Sequence, residues 1–267
     1  MRRPKLGQHL LIDGRVLERM VGYAELRGDE TVLEIGPGRG VLTRALAPRA
    51  AKVIAIEKDA EMVDTLHDEG LPGNVEVVLG DALKVDLPDF DKVVANLPYG
   101  ISSDITFRLL EHDFALGVLT YQREFAERLV AKPRSEQYGR LSVNAYVRAD
   151  ITPLETVPPS AFAPRPRVAS LIVRVLPLGK PRFPLQDEAL FAEVVRAAFQ
   201  HRRKTLRNAL LDQWPAFAAS RDDLLARLAG APHLEARAET LAPEEFEEVA
   251  RAVRKDGTRR RRGRVPP

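Results

Sequence analysis

The stretch TVLEIGPGRGVLTRAL, residues 31–46, decides the architecture. TVLEI is a short apolar run with the character of a buried strand, and VLTRAL carries helical periodicity. Between them stand glycines at 36, 38 and 40. Glycine lets a backbone turn sharply and approach a ligand closely, so the stretch reads as strand, ligand-binding turn, helix. A dinucleotide fingerprint would need a further glycine at position 41, where Val41 stands. The turn therefore speaks for a nucleotide-like ligand and against a nicotinamide dinucleotide.

Working outward, comparable runs recur: KVIAIE (52–57), VEVVL (75–79), KVVAN (92–96), LGVLTY (116–121) and SLIVRVL (170–176). Between the first five strands lie the helical patterns VLTRALAPR, AEMVDTLHDE and DITFRLLEHD. Strands alternating with helices predict an α/β fold whose mostly parallel sheet is covered on both faces. After Leu176 the Pro-rich connector PLGKPRFPL intervenes, and beyond it only helical periodicity remains: EALFAEVVRAAFQHRRKTLRNALLDQ, RDDLLARLA and PEEFEEVARAVRK. The expected division is an α/β catalytic domain over 1–176, a small all-helical domain over 185–255, and a basic tail over 256–267.

Composition narrows the function classes. Of the 267 residues 45% are hydrophobic and 30% charged, as in a soluble globular protein. No run approaches the roughly 18 apolar residues of a membrane span. No apolar signal core follows the basic start Met1-Arg2-Arg3, so no membrane association is expected and the location is expected to be cytoplasmic. With no cysteine there is no disulfide, thiolate metal site or cysteine nucleophile, and no metal is expected. Nothing in the sequence demands more than a monomer. The net charge is +3, yet residues 255–264, KDGTRRRRGR, hold six basic residues and one acid and contribute +5, leaving −2 for the rest. Such a segment reads as disordered and attracted to polyanions.

Two strand ends sharpen the ligand. Glu57 closes KVIAIE 21 residues after Gly36, where an acid can accept hydrogen bonds from ribose hydroxyls. Asp81, after VEVVL, would face an adenine amino group if the ligand lies across the sheet. Since the phosphate fingerprint fails, an adenosine without phosphates, S-adenosylmethionine, fits best, with S-adenosylhomocysteine as the product. At the end of the fourth strand comes NLPY, residues 96–99. An exocyclic amine on adenine is a poor nucleophile because its lone pair is conjugated into the ring. The Asn96 side-chain oxygen and the Leu97 carbonyl, aimed at its two N–H bonds, would favour a pyramidal nitrogen. Pro98 fixes the turn, and Tyr99 can stack on an extruded base.

LGQHLLID, EIGPGRGVLT, IEKD, GDAL, NLPYGISS, YQREFAERL, YGRLSV, PPSAFAPRPRV and FQHRRKTLRNAL together closely resemble the ribosomal RNA adenine dimethyltransferases, the kasugamycin-resistance or dimethyladenosine transferase family. The resemblance covers positions 6 to about 211, and GDALKVDL and KVVANLPYGISSDITF look archaeal. It implies a class I, Rossmann-like methyltransferase sheet with a helical C-terminal domain. It also implies transfer of four methyl groups to the 6-amino groups of two adjacent adenosines near the 3′ end of small-subunit rRNA, on an immature subunit. By the same resemblance His9 and Leu11 would contact S-adenosylmethionine with Gly36, Glu57, Asp81 and Asn96. Phe162 would close on the far face of the target adenine. Leu10 stands where the family usually has Phe.

QHRRKTLRNAL offers Arg202, Arg203, Lys204 and Arg207, with 203 and 207 expected on one helical face, for gripping RNA phosphates. Three alternatives stay open. One is an enzyme acting on large-subunit RNA, as related resistance methyltransferases do. Another is a non-catalytic assembly factor of the same fold. A dehydrogenase is disfavoured by Val41.

Overall fold

In the computed structural model, residues 9–254 are described; the basic tail expected over 256–267 lies outside them. The described chain forms two compact units. The first holds the residues up to Ala131 together with Ala145–Arg182, and the second holds Lys132–Asn144 and the residues from Phe183 onward. The division expected at 176/185 assigned Lys132–Asn144 to the first domain, whereas the structure groups it with the second.

The first unit begins with β1 (Leu10–Leu11) and α1 (Gly14–Tyr23). Asp13 caps α1, its carboxylate accepting the N–H groups of Arg15 and Val16 at 2.9 and 3.3 Å; such a cap contributes about 1 kcal/mol. Val16, Leu17, Met20 and Val21 form one buried stripe on this helix. There follow β2 (Thr31–Ile35), α2 (Val41–Leu46), β3 (Lys52–Glu57), α3 (Ala60–Asp68), β4 (Val75–Leu79), β5 (Lys92–Asn96), α4 (Ser102–Leu109), β6 (Leu116–Gln122) and α5 (Arg123–Leu129). Helix α6 (Arg140–Arg148), whose residues up to Asn144 belong to the second unit, leads into β7 (Ala149–Val157), β8 (Phe162–Ala163) and β9 (Ser170–Pro177).

Seven strands form one sheet in the order β4-β3-β2-β5-β6-β9-β7. The five from β4 to β6 are parallel; β9 runs antiparallel to β6, and β7 antiparallel to β9. This is the mixed α/β, Rossmann-like sheet the sequence predicts. The six strands read from sequence are all present, and β7 is an addition. Its sequence ADITPLETV carries Pro153 next to a register shift between Pro153 and Glu155, an irregularity an edge strand tolerates. Strand order reverses between β2 and β5, where open α/β sheets bind ligands beyond their carboxyl ends. The sheet face bearing Val32, Val53, Val94 and Val118 packs against α1 and α2 in one core. β1 and β8 pair as a separate two-stranded ladder, Leu10 opposite Ala163 and Leu11 opposite Phe162.

The second unit contains α7 (Glu188–Gln200), α8 (Leu206–Asp212), α9 (Arg221–Leu228) and α10 (Pro243–Val253). Phe191, Val194, Val195 and Ala198 recur at helical spacing and are buried. The continuous helical pattern expected from 188 to 213 is broken. His201 leaves helical geometry at φ −132° and ψ 76°, and an extended Thr205 starts α8. Arg203 therefore sits in the turn and does not share a helical face with Arg207.

Candidate active site

Beyond the carboxyl ends of β2, β3, β4 and β5 lies a cleft of about 270 Å³. Its floor is the Gly-rich turn. Gly36 and Gly38 have φ of +71° and +56°, the left-handed region that side chains disfavour. A Cβ on Gly38 would fall 2.5 Å from Leu10 Cδ2, and one on Gly36 would touch Pro98 Cγ at 3.4 Å. The turn is thus packed against Leu10 of β1 and Pro98 of the NLPY loop, and its positive φ angles favour glycine at both positions.

Glu57, 3% exposed, closes β3. Its Oε1 accepts the N–H groups of Lys58 and Asp59, both at 2.9 Å, and its Oε2 accepts that of Gly38 at 3.2 Å. A carboxylate has about four lone-pair positions. Three are engaged, so Oε2 keeps capacity for one strong donor from the cleft. Asp81 accepts from Lys58 Nζ at 2.7 Å and from the Leu83 N–H at 3.1 Å. The Lys58 ammonium, with the Leu83 N–H second, holds the Asp81 carboxyl below the usual carboxylate range. Ile35, Ile56 and Ala82 supply apolar walls.

At the other end stands Asn96, the last residue of β5. Its Nδ2 donates to the His9 carbonyl at 2.8 Å. A carbonyl can only accept, so this bond fixes the orientation of the amide. The opposite atom, Asn96 Oδ1, is buried and has no hydrogen-bond partner. A buried unpaired carbonyl oxygen costs about 1–3 kcal/mol. His9 is held in turn by Nδ1–H donation to the Pro164 carbonyl at 2.7 Å, leaving Nε2 as the ring's acceptor when the ring is neutral. The His9 and Tyr99 rings lie 5.3 Å apart, and the Tyr99 hydroxyl bonds the Ser170 hydroxyl at 2.6 Å. Burial raises the Tyr99 pKa, so the ring stays neutral.

His9, Gly36, Glu57, Asp81, Asn96, Leu97, Pro98 and Tyr99 all line this one cleft. Two residues expected there do not. Leu11 is buried in the core, and Leu10 faces the cleft in its place. Phe162, expected over a target adenine, is 3% exposed, belongs to the same core and is not among the residues that line the cleft. Both positions have one cause: side chains alternate across a ladder, and Leu11 opposite Phe162 is the inward pair.

Sequence reading missed three contributors. Lys58 pairs with Asp81; its signal was a cation directly following the strand-end acid. Arg108 on α4 donates to the carbonyls of Leu83 and Val85 at 2.8 and 2.6 Å, tying the Asp81 loop to the helix that follows NLPY. Glu34 is fully buried beside Thr43 and Glu57, with Oε2 unpaired, and burial pushes its pKa up to about 8.

The phosphate-gripping set in the second unit is largely self-paired. Arg202 bonds the Glu136 carbonyl at 2.9 Å and lies 3.3 Å from Glu239. Lys204 pairs with Asp212, and Arg207 with Glu235 at 3.1 Å. Arg203 is exposed and has no acid partner among the described residues.

Comparison with known proteins settles the family. The sequence model described as "Ribosomal RNA adenine dimethylase" matches residues 1–224. The chain belongs to the ribosomal RNA adenine dimethylase family. It is a methyltransferase of the Rossmann-like class. It is 49% identical over 255 residues to the "Probable ribosomal RNA small subunit methyltransferase A" of Methanopyrus kandleri, covering 94% of this chain and 92% of that one. Among solved structures it is similar to a dimethyladenosine transferase from Plasmodium falciparum, with a TM-score of 0.74 and 31% identity, covering 90% of this chain and 96% of that one. It is also similar to the 23S rRNA methyltransferase ErmE, with a TM-score of 0.66 and 30% identity over 91% and 99% of the two chains. An acid with a spare lone pair, a second acid, a glycine cradle and apolar walls fit an adenosine group.

Proposed function

We propose that this methyltransferase uses S-adenosylmethionine to dimethylate the 6-amino groups of two adjacent adenosines near the 3′ end of small-subunit rRNA. It would act on an immature small subunit in the cytoplasm. The observation that carries this reading is the unpaired, buried Asn96 Oδ1, oriented by the His9 carbonyl on a residue that lines the cleft.

When bound, the cofactor supplies a methyl group already activated by its sulfonium and leaves as S-adenosylhomocysteine. Glu57 would hold a ribose hydroxyl through the lone pair left on Oε2, and Asp81 would hold the adenine amino group. Asn96 Oδ1 accepts one N–H of the target amine, and the Leu97 carbonyl accepts the other. Those two bonds hold the nitrogen pyramidal with its lone pair free, so no base is needed before attack. The proton released after transfer passes to water. Tyr99, kept in place by Ser170, offers a face for the extruded base. The exposed Arg203 supports a role for the helical unit in holding RNA or the ribosomal subunit.

The archaeal relative's name favours the small subunit, whereas the similarity to ErmE favours a second reading with large-subunit RNA as substrate. Methylation of both subunits from a strain lacking this gene, followed by mass mapping of modified nucleotides, decides between them. Paired dimethyladenosines in the small-subunit RNA alone are expected; product confined to the large-subunit RNA would overturn the proposal.

A further inference from the structure

The cations first expected to hold RNA are mostly neutralised by neighbouring acids, yet two others are not. Arg165 and Arg167, in the loop 164–169 between β8 and β9, are both exposed and have no acid partner among the described residues. Keeping two guanidinium groups a residue apart without an acid leaves a local positive field that a polyanion would relieve. The loop carrying them is anchored to the acceptor end of the cleft. Its Pro164 carbonyl accepts from His9 Nδ1 at 2.7 Å, and the His9 carbonyl accepts from Asn96 Nδ2 at 2.8 Å. Two hydrogen bonds thus separate the loop backbone from the amide that meets the target amine. The loop's far end is fixed too, since the Ala169 carbonyl accepts the Arg123 N–H at 3.0 Å.

Exposed apolar residues stand in the loop and in the segment paired to its start. Val168 is 47% exposed, and Ile12 is 57% exposed with its N–H bound to the Ala161 carbonyl at 2.8 Å. Exposed aliphatic groups beside unpaired guanidinium groups suit a strand that presents both phosphates and base faces. A small metabolite would need neither, and a protein partner would need acids to answer the arginines.

We propose that Arg165 and Arg167 hold the RNA phosphates flanking the target nucleotide, and so set which base enters the cleft. This rests on the RNA methyltransferase reading above and adds a recognition surface that neither strand ends nor helical unit supply. Phosphate contacts fix register without reading sequence. A register device placed two hydrogen bonds from Asn96 would transmit little positional error to the amine.

The test uses the full chain and unmethylated small subunits, with equilibrium binding measured from about 50 to about 200 mM salt. Arg165→Ala/Arg167→Ala should lower the log–log salt slope by about 1.5, since each phosphate contact is worth roughly 0.7–0.9. It should raise KM for the subunit about tenfold or more, while affinity for S-adenosylmethionine and the melting temperature stay at wild-type values. Arg165→Lys/Arg167→Lys should restore the slope, because a phosphate accepts any cation. An unchanged slope in the alanine variant overturns the proposal, as does a loss confined to cofactor affinity. Because binding is read without turnover, a wild-type enzyme that binds with this slope but fails to methylate would refute the proposed substrate and spare the surface.

Discussion

Asn96 illustrates how one side chain can be half committed and half available. Its Nδ2 is tied to the His9 carbonyl, so its Oδ1 cannot turn away, and the cost of leaving that oxygen unpaired is recovered only when a donor arrives. Asn96→Ala should therefore lower kcat by about a hundredfold, the usual scale for losing one oriented charge-stabilising contact. S-adenosylmethionine affinity should change little, and a radiolabel assay showing wild-type turnover would remove Asn96 from the chemistry. Glu57→Ala should do the reverse, weakening cofactor binding about tenfold to a hundredfold by calorimetry, the range for a hydrogen bond to a charged group. Glu34 makes a prediction about pH. Its pKa is raised from 4.5 to about 8 by burial, with the nearby Glu57 charge adding to it. Between those values the folded state binds more protons than the unfolded state, so stability falls as pH rises through the window and is flat above it. Glu34→Gln cannot ionise. Its melting temperature should exceed that of the wild type by a margin that widens by several degrees from pH 6 to pH 9, and a constant margin would refute the neutral buried acid.

At the scale of elements, Arg108 links the two halves of the site. It leaves α4, which begins just after NLPY, and grips the carbonyls of Leu83 and Val85 in the loop that carries Asp81. Arg108→Ala should raise KM for S-adenosylmethionine about tenfold, as two charge-assisted bonds are lost, with kcat nearly unchanged. Arg108→Lys should recover part of that, because an ammonium can still reach one carbonyl. An unaltered KM would mean that the loop is held by its own bonds, Lys84 and Val85 N–H to the Asp81 carbonyl. Elements differ in how readable they are. The parallel strands are legible because burial on both faces demands continuous β-branched runs such as KVIAIE. Their ends follow, which is why Glu57, Asp81 and Asn96 could be placed together from sequence. β7 is hidden by Pro153 and by polar residues that an edge position permits. The break between α7 and α8 is hidden because HRRKT has ordinary helix formers and stops only through the conformations of His201 and Thr205. Leu11 and Phe162 belong to a two-residue ladder, too short for alternation to reveal which side faces inward.

For the whole molecule, charge is distributed in a way that composition alone conceals. Lys132–Asn144 joins the helical unit through packing such as the Tyr138 hydroxyl bonding the Leu241 carbonyl at 2.8 Å, a partnership 103 residues apart that no local pattern encodes. In contrast, the sequence itself shows that residues 255–267 carry six basic residues and one acid, so that removing them changes the net charge from +3 to −2. Such a change acts on encounter before it acts on contact, since a positive segment raises the local concentration of a polyanion. Truncation after Arg254 should lower the association rate constant for ribosomal subunits about tenfold at low ionic strength. The difference should shrink steadily with added salt, as the screening length falls from about 30 Å at 0.01 M to about 3 Å at 1 M. Turnover at saturating subunit should stay at the full-length value, because Asn96, Glu57 and Asp81 lie within the retained chain. Stopped-flow association rates that coincide for the two forms at low salt would show that the tail's charge plays no part in encounter.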